Sequence, residues 1–111
     1  MNWISLTEEA QLSQILEKST TIPQVIFKHS TRCSVSSMVL SRLERSDIPE
    51  NIDFYLLDLI KNRHISNRIA EDFKVYHESP QVLLIKNRDC VYDESHMGIN
   101  MSELADQAVK N

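Results

Sequence analysis

The alternation of amphipathic segments with short apolar runs is the feature that most limits how this chain can fold. Apolar residues at helical spacing predict helices over 7–19, after Cys33, and over about 64–74. Two runs rich in β-branched and aromatic residues, 25–29 and 52–58, predict buried strands between these helices. Because a strand, a crossover helix and a second strand form a right-handed unit, we expect the two strands to be parallel.

The pattern changes at Ser79-Pro80. An apolar run over 81–85, a turn near 87–89 and a second run that begins at Cys90 predict a β-hairpin. The strands of a hairpin are antiparallel. Added to the parallel pair, the hairpin gives a mixed, four-stranded α/β sheet.

The chain has the size of one domain, so we expect a single unit over 1–111 with helices on both faces of the sheet. Asn100 is expected to cap a last helix. His96 and Gly98 are expected to end the second hairpin strand, which returns toward Pro80 and Cys33. A ligand-facing role for them and an ordinary exposed strand end both remain open.

The charge and the apolar runs exclude several classes of protein. The formal net charge is −4, and the 12 Lys and Arg residues are scattered, which argues against nucleic acid and anionic membranes as partners. The longest apolar run, 82–85, is far too short for a membrane span, and the N-terminus lacks a signal-peptide core. We therefore expect a cytoplasmic protein that acts as a monomer.

The two cysteines do not form a recognisable disulfide framework, and no Cys/His spacing indicates zinc. Cys33 lies in KHSTRCSVSSM, where the first strand ends and a helix begins. A helix N-terminus stabilises a thiolate, which is the nucleophile in disulfide exchange. Arg32 adds a cation, and Ser36, one turn later, is expected to donate a hydrogen bond to the sulfur. A hydroxyl at position 36 cannot act as a resolving thiol.

Three stretches carry a resemblance to one family: FKHSTRCSVSS, ESP and YDESHMGI. They resemble the monothiol, YtxJ-like bacilliredoxins of the bacillithiol system, which have a thioredoxin-like fold. The resemblance implies a cytosolic redox protein that removes bacillithiol from mixed disulfides on client proteins. Its single working thiol falls on Cys33, bacillithiol is the co-substrate, and no metal or tightly bound cofactor is implied.

The resemblance also implies a groove for the client. Ser79-Pro80 corresponds to the cis-proline loop of the fold, which lies against the thiol. Lys28, His29 and Arg32 would form a small basic lip for the carboxylates in the malate part of bacillithiol.

Beside this lip, Thr31 and Ser34 are expected at the same exposed, substrate-binding corner. His29 is expected either to tune the thiol or to bond the backbone at the strand end. Cys90 begins the far end of the hairpin, so a disulfide with Cys33 should be out of reach.

Three other functions are alternatives to the removal of bacillithiol. An arsenate reductase is suggested by the His29-x3-Cys33 spacing, but position 37 is Ser where its oxyanion-binding arginine is expected. An iron–sulfur binding module resembling the monothiol glutaredoxins would carry Cys-Gly-Phe-Ser where this chain has Cys33 followed by Ser-Val-Ser. A thioredoxin-fold interaction protein without turnover, in which Cys33 is passive, remains as a third alternative.

Overall fold

A computed structural model describes residues 1–110 of the chain. It contains five strands, four α-helices and one short 3₁₀ turn. In chain order these are β1 (Trp3–Ser5), α1 (Ala10–Lys18), β2 (Gln24–His29), α2 (Ser34–Glu44), β3 (Asp53–Asp58), α3 (Arg63–Phe73), β4 (Gln81–Lys86), β5 (Asp89–Ser95), the 3₁₀ turn (His96–Gly98) and α4 (Met101–Val109).

The strands form one mixed sheet in the order β1-β3-β2-β4-β5. The pair β2/β3 is parallel, and β2/β4 and β4/β5 are antiparallel, which confirms the predicted mixed sheet with its hairpin. The predicted count of four strands was wrong, because β1 adds a fifth strand parallel to β3. A strand of three residues is too short for a period of two to be recognised in the sequence.

The ends of the elements differ in two places from the prediction. The first helix begins at Ala10, because the side chain of Gln11 accepts hydrogen bonds from the N–H groups of Thr7 and Glu8 before the helix starts. His96 lies beyond β5 in the 3₁₀ turn, not in the strand, and has a positive φ of 55°. The predicted cap of the last helix is confirmed, since Asn100 accepts from the N–H of Glu103 at 2.8 Å.

Each face of the sheet has its own apolar core. Side chains alternate along β2, so Val25 and Phe27 pack under α2 and α4, whereas Ile26 packs under α1 and α3. Lys28 continues the second set and lies on the α3 face. No helix within residues 1–110 has the length and apolar character needed to cross a membrane.

Trp3 adds side-chain contacts to the backbone pairing that joins the edge strand β1 to β3. Its ring lies 5.9 Å from the rings of both Phe27 and Phe54, measured between centroids. Its indole N–H donates to Glu44 Oε2 at 3.0 Å, which ties β1 to the end of α2. The strand that the sequence pattern missed therefore combines backbone pairing with β3 and the side-chain contacts of Trp3.

Replacing Trp3 with Ala should lower the free energy of unfolding by about 3 kcal/mol, because the ring leaves a gap over two buried aromatic residues. Trp3→Phe keeps an aromatic ring, although a smaller one than the indole, and loses an exposed hydrogen bond, so its cost should be only about 1 kcal/mol. Urea unfolding followed by circular dichroism measures both. Wild-type stability in Trp3→Ala would show that β1 adds nothing to the core.

Candidate active site

Cys33 is the N-cap residue of α2, with extended backbone angles of φ −108° and ψ 117°. Its N–H donates to Ser30 O at 3.1 Å, and its own carbonyl accepts the N–H of Ser37 at 3.1 Å. The residue is half-buried. The thiol therefore begins the helix at its positive end, where the first N–H groups lack helical partners and negative charge is stabilised.

The corner around the thiol is polar and open. Thr31, Arg32 and Ser34 are all exposed and adjacent in sequence to Cys33. Within residues 1–110, the ion pairs involve other groups and leave the Arg32 guanidinium facing solvent. These three residues lie where the sequence prediction put them.

Ser36 does not donate to the Cys33 sulfur, and that prediction was wrong for the structure as described over 1–110. Its side chain is fully buried, and its Oγ lies 2.6 Å from His29 Nδ1 while accepting the N–H of Ser30 at 3.1 Å. The first turn of α2 directs Ser36 inward onto the end of β2. Its hydroxyl therefore joins the first turn of α2 to the end of β2 beneath Cys33.

His29 holds the other end of this bond. The residue is buried, and burial lowers the pKa of its imidazole, while the carboxylates of Asp58 and Glu44 offset part of that effect. The Ser36 hydroxyl and His29 Nδ1 share one hydrogen bond, whose donor depends on which ring nitrogen carries the proton, while the Ser36 oxygen also accepts from the Ser30 N–H. The His29 side chain thus bonds a serine hydroxyl, and not the backbone as one of the two alternatives expected.

Lys28 is not part of an exposed basic lip, so that prediction was also wrong. Its side chain is 0% exposed, on the face of the sheet opposite to that of His29. Its Nζ lies 3.4 Å from Ser66 O on α3 and 3.4 Å from His77 Nδ1. Burial lowers the pKa of the amine to about 8. Strand alternation explains the outcome, because neighbouring side chains of β2 point to opposite faces.

The predicted cis peptide bond between Ser79 and Pro80 is confirmed. Lys28 on β2 is in register with Gln81 on β4, so the start of β4 lies beside the end of β2. Pro80 and Cys33 therefore lie at the same edge of the sheet. The Ser79 hydroxyl is buried and has no hydrogen-bond partner among residues 1–110.

The 3₁₀ turn returns to this edge as expected. The N–H of His96 donates to Pro80 O at 2.9 Å, and His96 Nε2 lies 3.2 Å from Glu78 Oε2 in a pair that is about half exposed. Gly98 packs against the side chain of Glu94, since a Cβ there would lie 2.8 Å from Glu94 Cδ. This carboxyl group is the far end of a flexible side chain that can move aside, so packing alone does not require a glycine at position 98.

Arg42 on α2 is a supporting residue that sequence reasoning missed. Its guanidinium Nη2 donates to Met97 O at 3.2 Å and also to Ile99 O, which holds the 3₁₀ turn against α2. Met38 and Met97 remain about half exposed on these two elements. No signal in the sequence could have found this contact, because its acceptors are backbone carbonyls far along the chain.

Cys90 lies at the other end of the sheet from Cys33. It pairs with Ile85, which is beside Gln24 at the start of β2, so the length of β2, about 17 Å, separates the two cysteines. Its thiol donates to Tyr92 O, and burial raises the pKa of this thiol to about 11. The expected separation from Cys33 is confirmed, and both cysteines are free.

The described part of the chain has no group of three or more His, Cys, Asp or Glu side chains placed to hold a metal ion. The site instead combines a helix-capping thiol, an arginine and a cis-proline loop on one edge of a mixed sheet. Such an arrangement suits exchange between a thiolate and a disulfide that lies across the edge.

Solved structures define the class of protein. One described as having a thioredoxin fold, and provisionally named an oxidoreductase, is 30% identical with a TM-score of 0.79, and the match covers 94% of this chain and 91% of that one. Thioredoxin from Malassezia sympodialis is 18% identical with a TM-score of 0.73, covering 95% and 86%. Thioredoxin from Fasciola hepatica is 18% identical with a TM-score of 0.72, covering 94% of each chain. The chain has the thioredoxin fold.

The family is narrower than the fold. The model of the monothiol bacilliredoxin BrxC family matches residues 4–104. The chain belongs to this family, which confirms the resemblance found in the sequence. Family and fold together support a thiol redox function.

Replacing Ser36 with Ala should lower the free energy of unfolding by about 1–3 kcal/mol, because the Ser30 N–H and the His29 ring lose a buried partner. Ser37→Ala, on the exposed side of the same turn, is the matched control and should be close to neutral. Urea unfolding measures stability, and iodoacetamide alkylation in a Cys90→Ser background measures Cys33 reactivity. Slower alkylation of Cys33 in Ser36→Ala, with unchanged stability, would instead indicate that Ser36 bonds the Cys33 sulfur.

Lys28→Met should be more stable than wild type at pH 7 by about 1–4 kcal/mol, because it removes a buried charge that has no carboxylate partner among residues 1–110. Folded Lys28 releases its proton near pH 8 and the unfolded residue near 10.5, so the folded state binds fewer protons between these values. Wild-type stability gains from this group as pH rises through that window.

The advantage of Lys28→Met should therefore be greatest below pH 8 and shrink toward pH 10.5. Urea unfolding at several pH values tests this, with the exposed Lys61→Met as a control for loss of the same charge. A difference that does not vary with pH would mean that Lys28 is not desolvated in the folded protein.

Proposed function

We propose that this protein removes bacillithiol from mixed disulfides on client proteins through Cys33 alone. The observation that carries the proposal is the pairing of a thiol at the N-cap position of α2, residue 33, with a buried serine at position 36. A serine there cannot attack the disulfide formed on Cys33. The intermediate must therefore wait for a thiol from outside the chain.

The exchange has two steps. The Cys33 thiolate attacks the bacillithiol sulfur, a new disulfide forms, and the old one breaks to release the client as a thiolate that takes a proton. A second bacillithiol thiolate then attacks the bacillithiol sulfur held on Cys33. This step releases oxidised bacillithiol and regenerates the Cys33 thiolate, so one external disulfide replaces another and no metal or bound cofactor takes part.

The polar corner supports recognition of an acidic thiol. The exposed guanidinium of Arg32 suits the carboxylates of the malate group, with Thr31 and Ser34 as neighbouring hydroxyl donors. The edge formed by Ser79, Pro80 and the 3₁₀ turn is the proposed client groove. Because bacillithiol serves as the reductant, the proposal places the protein in a reducing, cytoplasmic compartment.

Intact-protein mass spectrometry tests the assignment. Reduced wild type, Cys33→Ser and Cys90→Ser are incubated separately with oxidised bacillithiol and with oxidised glutathione. Wild type and Cys90→Ser should each gain one bacillithiol, and Cys33→Ser should gain none, because burial raises the pKa of the Cys90 thiol to about 11 and leaves it a poor source of thiolate. The glutathione adduct should form more slowly, since glutathione lacks the malate group.

Function is then measured on serum albumin whose single free cysteine carries bacillithiol. Wild type and Cys90→Ser should release bacillithiol from it when free bacillithiol is present, and Cys33→Ser should not. Release by Cys33→Ser would contradict the mechanism. An internal disulfide, seen as a loss of two protons without an adduct, would contradict the monothiol cycle.

A further inference from the structure

Lys28 is a buried cation without an acidic partner. Its side chain is 0% exposed, and none of the ion pairs within residues 1–110 includes it. Among residues 1–110, its Nζ donates to Ser66 O and His77 Nδ1 alone, both at 3.4 Å. Buried charges are normally paired, because taking an ion out of water costs several kcal/mol. A polar residue kept at such a cost calls for a role other than stability.

The amine joins the sheet to the segment that precedes the cis-proline. Ser66 lies in the middle of α3, and His77 lies three residues before Pro80 in the link between α3 and β4. The Ser66 hydroxyl also bonds His77 Nδ1, at 3.2 Å. His77 is thus held by one residue from the sheet and one from the helix.

A second buried polar side chain holds the same segment. Gln81 is 1% exposed and is the register partner of Lys28 on β4. Its amide donates to Tyr76 O at 2.9 Å, and its Oε1 accepts the N–H of Glu78 at 3.4 Å. Segment 76–80 therefore lies on two neighbouring buried side chains, while Tyr76 itself is 94% exposed.

We propose that Lys28 is a positioning residue that holds segment 76–80, including cis-Pro80, in the conformation that receives a client protein. This inference rests on the proposed function and adds the means by which the client groove is held. Lys28 makes none of its hydrogen bonds to Cys33, so its removal should affect client docking and leave the thiol chemistry alone.

The hydrogen bonds also set a protonation requirement. A lysine amine that carries its proton only donates, so His77 Nδ1 must accept, and a protonated His77 would turn an N–H toward Lys28. Burial and the charges of Lys28 and Arg63 lower the pKa of His77, and the carboxylate of Glu78 partly offsets this effect. His77 also lines a surface cavity together with the charged residues Glu71 and Lys74. As pH falls through the lowered pKa of His77, the segment should therefore lose its bond to Lys28 while it keeps its bonds to Gln81.

The decisive variant is Lys28→Met, with the exposed Lys61→Met as the control for charge. All variants are made in a Cys90→Ser background. Release of bacillithiol from bacillithiolated albumin gives kcat and KM for a client. Reaction with the small disulfide 5,5′-dithiobis(2-nitrobenzoate) gives the reactivity of the Cys33 thiol without a client. For Lys28→Met we expect a client KM raised about three- to tenfold, equivalent to one lost hydrogen bond. The small-disulfide rate and the stability should not fall.

Two further measurements of the client KM complete the test. In wild type the client KM should rise at acid pH, and in His77→Ala it should be high at every pH. An unchanged client KM in Lys28→Met would overturn the inference. Equal losses in the client and small-disulfide reactions, or a loss of stability, would also overturn it, because they would mark a purely structural role.

Failure of the proposed function has a different signature. In that case wild type would prefer albumin carrying glutathione over albumin carrying bacillithiol. The Lys28→Met comparison is then made with the glutathionylated client, and its KM still decides whether Lys28 positions the groove.

Discussion

The pairing of β2 with a parallel strand on one side and an antiparallel strand on the other is the constraint on which this structure depends. The pairing of β2 with β3 forms the parallel part of the sheet. The pairing of β2 with β4 brings the cis-proline beside the end of β2. Cys33 lies four residues after the end of β2 and is the N-cap of α2. Strand β2 therefore positions both the Cys33 thiol and the cis-proline loop.

The last two residues of β2 support the site from opposite faces of the sheet. His29 bonds Ser36 under the thiol corner, and Lys28 bonds Ser66 and His77 under the loop before Pro80. Both are ionisable groups that burial pushes toward the neutral form. A wholly apolar pair would be less costly to bury but could not bond these polar segments.

Much of the fold could be predicted because helices and strands leave periodic patterns. The strand-to-helix corner, the hairpin after Pro80 and the capping Asn100 all depend on local chemistry that neighbouring residues display. The edge strand β1 could not be predicted, since it depends on Trp3 meeting aromatic side chains far along the chain. The same limit applies to Arg42, whose acceptors belong to a turn that only the folded chain brings near.

The sequence by itself determined that Cys33 stands at the start of a helix with Ser36 one turn later, and it indicated the family through its local motifs. It could not decide where those side chains point. Only the tertiary structure turned Ser36 toward His29 and away from solvent, and buried Lys28, which had been expected at the surface. The physical reason is that burial depends on which face of the sheet another element covers, and that is set by packing between residues distant in the chain.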